Sequence, residues 1–219
     1  MSSMKKLSLC LMATCALVIL SACSSRTYKV IGTIDGAKDG DTLFLSYDME
    51  SGMPSDTILV KDGKFMWTGQ ADSLQLCLLY LQSNHIVNSV FFIEPGEINI
   101  HLSPQRKDQL LSGTPTNEQW RMLNDSVEVY GKEINQAVNA ILENDVLSPE
   151  KKSDSTQVLL NGKYKQMNQC IVNFAENNIT NEFGLFLLNY YGEDVIDSLQ
   201  RQRLIKMMPK ELASRLGNN

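Results

Sequence analysis

Apolar and polar residues alternate with a period of two from Tyr28 to about Ser103, then recur every three to four residues after Pro104. A period of two sends side chains to opposite faces of a strand, whereas a period near 3.6 gathers them on one stripe of a helix. The chain therefore reads as a β half followed by an α half. Residues 28–34 form a first strand, closed by a turn-rich segment at 35–41, and Leu43, Leu45 and Tyr47 alternate on a second. Residues 57–60 and 65–68 flank Asp62-Gly63 in the strongest hairpin pattern of the chain, because Asp-Gly supplies the positive φ values of a tight turn. Residues 74–81, 89–94 and 97–102 give three more strands, the last two joined by Pro95-Gly96. Short strands between glycine turns predict an antiparallel β-sandwich or a small open barrel.

In the second half, Thr116 and Gln119 have the spacing of a capping box, with Thr116 as N-cap. Trp120, Leu123, Val127, Ile134, Val138, Ile141 and Leu142 continue the helical stripe. Ser148-Pro149 opens a second helix, since proline at the first helical position has no N–H to leave unpaired. Met167, Cys170, Ile171, Phe174 and Ala175 form the apolar side of that helix, and residues 183–191, 195–207 and 209–216 form three shorter ones. Gly192 and Gly217 are placed as helix stops. The expected fold class is α+β, with a β-sandwich domain at 27–103 and an α-helical domain at 104–219.

The first residues read as an address. A short basic start with Lys5 and Lys6 precedes an uncharged apolar run at 7–20, too short to span a bilayer comfortably. The run ends in Leu20-Ser21-Ala22-Cys23, which resembles a bacterial lipobox. This predicts a signal peptide at 1–22, cleavage between Ala22 and Cys23, lipidation of the Cys23 thiol and a short tether at 23–26. Ser24 after the cysteine resembles outer-membrane sorting, so the expected location is the periplasmic face of the outer membrane, held by the lipid anchor.

Charge and chemistry narrow the function. The net charge is −5 and no basic stripe is present, so nucleic acid is not an expected partner. Two histidines, His85 and His101, exclude a multi-histidine metal site, and no cofactor is expected. Asp35, Asp39 and Asp41 share a loop, but their spacing does not fit a calcium loop. No acid stands in triad-like order near the histidines. Glu94 and Glu97 flank a turn, which favours a structural role over paired-carboxylate catalysis. Cys77 and Cys170 either pair as a disulfide across the β/α boundary or serve as two small buried hydrophobes. Phe65 and Trp67 share one strand face, as core or as an open patch.

Several stretches carry a family resemblance: Tyr28 with Gly32, Gly40-Asp41-Thr42-Leu43-Phe44-Leu45, Asp56-Thr57, Asp62-Gly63-Lys64-Phe65 with Gly69, Phe92-Ile93-Glu94-Pro95-Gly96, and Ser112-Gly113-Thr114 before Asn117. Over residues 27–118 the chain resembles the domain of unknown function 4369, found before the thioredoxin-like domain of envelope disulfide reductases. No Cys-x-x-Cys pair occurs here, so the redox chemistry of such relatives is not carried over. The resemblance and the lipobox together imply a non-enzymatic binding or scaffolding module whose partner is another envelope protein, possible partners including thiol-disulfide oxidoreductases. The alternatives are a vestigial oxidoreductase-related protein and a small-ligand or glycan binder. Asp followed by Ser or Thr and an aliphatic residue or Thr also resembles an O-glycosylation acceptor of envelope proteins, with Thr42, Thr57, Ser73 and Ser155 as candidate sites.

Overall fold

The computed structural model describes residues 26–48, 51, 53–105 and 109–217. The chain runs through β1 (Thr27–Ile34), β2 (Thr42–Ser46), β3 (Asp56–Leu59), β4 (Lys64–Gln70), β5 (Gln75–Leu81), β6 (Asn84–Ile93), β7 (Gly96–Leu102) and β8 (Leu110–Ser112). It then enters the helices α1 (Pro115–Leu142), α2 (Pro149–Asn177), α3 (Glu182–Tyr190), α4 (Ser198–Met207) and α5 (Lys210–Ala213). The α+β class is thus observed, with two four-stranded sheets and no closed barrel among the described residues. The first sheet has the order β4-β1-β7-β8 and the second β3-β2-β5-β6.

Four features correct the expectations. β1 and β7 are parallel, so the first sheet is mixed rather than antiparallel throughout. The Asp62-Gly63 turn forms as expected, with both φ values positive and Lys61 and Lys64 bonded to each other in both directions at 2.9 Å. Yet it carries the chain from one sheet to the other, because β3 pairs with β2 and β4 with β1. Strand β8 lies beyond residue 103 and closes the edge of the first sheet against β7. The buried apolar cluster is also continuous from Tyr28 to Met208, so the β and α halves share one core.

Alternation explains most of that core. On β1, Tyr28, Val30, Gly32 and Ile34 point inward while Thr27, Lys29, Ile31 and Thr33 point out. Glycine at 32 makes room for the Phe65 ring: a Cβ there would lie 1.9 Å from it and force the buried ring to shift. β6 departs from alternation because both of its faces are covered. Phe91 faces the Trp67 ring between the sheets at 6.1 Å, and Phe92 faces Trp120 at 5.6 Å and Phe186 at 4.7 Å on the helical side. A strand buried on both faces reads as a continuous apolar run.

Helix α1 begins two residues earlier than the capping box implied. Thr114 is the N-cap, with Pro115 at the first helical position. Ser148 caps α2 as expected, its hydroxyl accepting from the Lys151 N–H. Asn181 and Asp197 cap α3 and α4 through their side chains. The two long helices pack along each other, and among the described residues no helix is long and apolar enough to cross a membrane.

Candidate functional site

The β6–β7 turn brings Glu94 to the start of α1, where four backbone N–H groups have no partner within the helix. Glu94 supplies one. Its Oε1 accepts from the N–H of Thr116 at 2.8 Å and of Asn117 at 3.2 Å, and its Oε2 accepts the Thr116 hydroxyl at 2.8 Å. Asn117, fully buried, reaches the other way. Its Oδ1 accepts from the Phe92 N–H at 2.8 Å, and its Nδ2 donates to the Phe92 carbonyl and to Thr114 Oγ1, each at 2.8 Å. An asparagine side chain thereby takes the place of a neighbouring strand. One turn later the Trp120 indole donates to the Val90 carbonyl at 3.0 Å. Gly113 permits the approach, with φ +105° and no room for a Cβ beside the Glu97 carbonyl.

Beside this junction lies a cleft of about 550 Å³. Leu74, Pro95, Pro115 and Phe183 form its apolar part, and Glu94, Thr116, Gln119, Asn178, Asn181 and Glu182 contribute polar groups. The carboxylates are engaged. Glu94 holds α1, Glu118 at the rim accepts from the Gly113 N–H and pairs with Arg121, and Glu182 makes a two-pronged pair with Arg215. Such a lining can orient a ligand through amides, a hydroxyl and the remaining acceptor capacity of the acids.

The predicted site residues are scattered rather than gathered. Ala22 and Cys23 lie outside the described residues. The disulfide is absent: Cys77 and Cys170 are free thiols. Cys77 faces the space between the sheets with no exposed surface, and burial pushes its pKa up to about 12. Cys170 lies half-buried on α2, where burial raises its pKa against a lowering hydrogen bond with Ser126. Of the candidate acceptors, Thr57 and Ser73 are exposed, while Thr42 on β2 and Ser155 on α2 are half-buried. Phe65 is buried and Trp67 half-buried, its indole donating to the Tyr28 hydroxyl at 3.1 Å, so both pack with the core.

Glu94 and Glu97 diverge, the second pairing with Lys29. The Asp35–Asp41 loop uses its acids locally: Asp39 accepts from the Asp62 N–H and Asp41 from the Lys38 N–H. Asp35 stands 3.4 Å from His101 Nε2, and His101 Nδ1 is 2.7 Å from the Thr33 hydroxyl. This threonine–histidine–aspartate contact exists because β1 and β7 run parallel with Thr33 beside His101, a pairing the sequence order does not reveal. It sits on the outward face of the first sheet, away from the cleft. The roles of Asn117 and Trp120 were missed too. An asparagine in a first helical turn is a usable signal, because that residue is a poor helix former there without a partner.

Residues 28–120 match the model of the domain of unknown function DUF4369. The match runs from β1 to Trp120 and so includes both sheets and the Glu94–Asn117 junction. A comparison with curated proteins finds no match.

Proposed function

We propose that this chain is an envelope lipoprotein, anchored through Cys23 at the periplasmic face of the outer membrane, that works as a non-enzymatic binding or scaffolding module. The cleft at the β/α junction carries the reading. Both halves of the molecule line it, and its acids are committed to holding the helices and the β8–α1 turn rather than poised for proton transfer. The expected occupant is part of another envelope protein, including thiol-disulfide enzymes that bear a similar first domain. A residual oxidoreductase working through Cys77 is disfavoured, because its thiolate is suppressed by burial and its sulfur is out of a substrate's reach. The half-buried Cys170 has no second thiol in partnership with it among the described residues. A glycan-binding aromatic face is disfavoured by the packing of Phe65 and Trp67.

A photo-crosslinking residue at Gln119, in the cleft, tests this in cells against the same residue at Leu59, on the far edge of the second sheet. Capture of one defined envelope protein from Gln119 but not from Leu59 supports the reading; equal capture at both, or capture only at Leu59, overturns it. The anchor has its own test. Cys23→Ala should release the protein from membranes or leave the signal uncleaved, and a mature-length, membrane-bound variant would refute lipidation. Within this reading Thr57 and Ser73 are the favoured O-glycosylation sites because they are exposed. An intact mass from the native host equal to the lipidated polypeptide alone would end that claim.

A further inference from the structure

β1 starts at Thr27, four residues past Cys23. However those residues are arranged, they reach at most about 14 Å. If Cys23 carries the lipid, as the proposed function has it, the start of β1 is held at the headgroup layer. β1 is an inner strand of the first sheet, with β4 on one side and β7 on the other. Helices cover part of the second sheet's outward face, where Phe92 meets Trp120 and Phe186. The first sheet's outward face is open, with Thr33, Lys64, Met66, Thr68, Asn99 and Leu110 exposed.

We propose that this open face of the first sheet lies against the lipid bilayer. The register places its side chains in rows. Lys64, Thr33, His101 and Leu110 lie abreast, then Met66, Ile31, Asn99 and Ser112, then Thr68, Lys29 and Glu97. Met66 is 61% exposed and Leu110 63%, and the half-buried Ile31 sits beside Met66. Apolar tips beside a lysine match a headgroup layer: the tips enter the acyl boundary, while Lys64 lays its stem on it and presents its ammonium group to lipid phosphates. Lys29 is held by Glu97 in the last of these rows. The end of the sandwich at Thr27 is the competing contact. It is less suited, since the β4–β5 and β6–β7 turns there expose no large apolar side chain to enter the acyl boundary.

Quenching of a site-attached fluorophore reads the orientation. The lipidated full chain, in a Cys170→Ser background with Cys77 buried, carries the probe at Met66→Cys, Leu59→Cys or Ser73→Cys, three exposed positions. It is reconstituted on vesicles of phosphatidylethanolamine and phosphatidylglycerol bearing a headgroup nitroxide. The Met66 probe should be quenched several-fold more than the Leu59 probe, and more than the Ser73 probe. Strongest quenching at Ser73 would mean end-on contact, and equal quenching at Met66 and Leu59 would mean no preferred face; either overturns the proposal. Failure of the protein to co-float with vesicles at all would refute the anchor itself, a result distinct from a wrong orientation.

Discussion

At the base of the α1–α2 hairpin, Trp120, Leu123, Ile171, Val172 and Ala175 are buried, and Glu94 and Asn117 tie α1 to β6. Between Ile134 and Ile171 no residue of the hairpin is fully buried. There Val138, Ile141, Leu159 and Leu160 are half-buried, because each helix has only the other to cover it. The helices are 28 and 29 residues long, about 42 Å each, so the two regimes lie far apart on one element. The comparison teaches that continuity of a helix does not mean uniform stability: local opening should begin at the far end, where few apolar contacts must break.

The largest effect is expected at the base. Phe92→Ala should cost about 3–5 kcal/mol in denaturant unfolding, because the ring is fully buried against Trp120, Phe183 and Phe186. Ile141→Ala near the tip should cost about 1 kcal/mol or less, since a half-buried side chain loses less transfer energy and leaves no closed cavity. Equal costs at the two sites would break the comparison.

Next comes the polar side of the junction. Asn117→Ala strands the Phe92 N–H and C=O inside the protein, at about 1–3 kcal/mol for each group. Amide exchange at Phe92 should accelerate with the loss of stability. Asn117→Asp keeps an acceptor for the Phe92 N–H but loses both donated bonds, so it should not restore wild-type stability.

The thiols sharpen the contrast chemically. Cys170, half-buried on α2, should react with a thiol reagent in the folded protein, while Cys77 should react only on unfolding. Burial raises the Cys77 pKa from 9.0 to about 12, so between those values the unfolded chain releases a proton that the folded chain retains. Stability is therefore unaffected by this group below pH 9 and falls as pH rises from 9 toward 12. Tyr191, raised from 10.0 to about 12 mainly by burial, adds to the fall in the upper part of that window. Cys77→Ala should flatten the alkaline limb of the stability profile; an unchanged slope would refute the account.

Strands were legible wherever one face is buried and the other wet, as on β1, because alternation then records the environment directly. Pairing was not legible. Asp62-Gly63 specifies a tight turn, but nothing local to it says that Ile58 belongs to one sheet and Phe65 to the other. β8 is three residues long, too short for a pattern, and exists because β7 offers it an edge. The cleft was the least legible part. Glu94 and Glu97 are neighbours in sequence and invited comparison as a pair, while the partners that define Glu94, at Thr116 and Asn117, lie on a helix that returns only after β7 and β8. Long-range capping of this kind leaves no periodic trace.

The smallest effect separates the two ends of the hairpin through one residue type. Thr114 Oγ1 accepts from Asn117 Nδ2 at the base, so Thr114→Val removes an acceptor from a buried amide and should cost about 1–3 kcal/mol. Thr156 lies on α2 toward the tip, and its Oγ1 is buried without a hydrogen-bond partner. Thr156→Val has nearly the same volume and similar helix propensity, and it exchanges an unpaired hydroxyl for a methyl group. It should leave stability within about 1 kcal/mol of wild type, on the stabilising side. A loss as large as that of Thr114→Val would mean that the Thr156 hydroxyl is bonded in solution, and that the tip holds a polar contact equivalent to the one at the base.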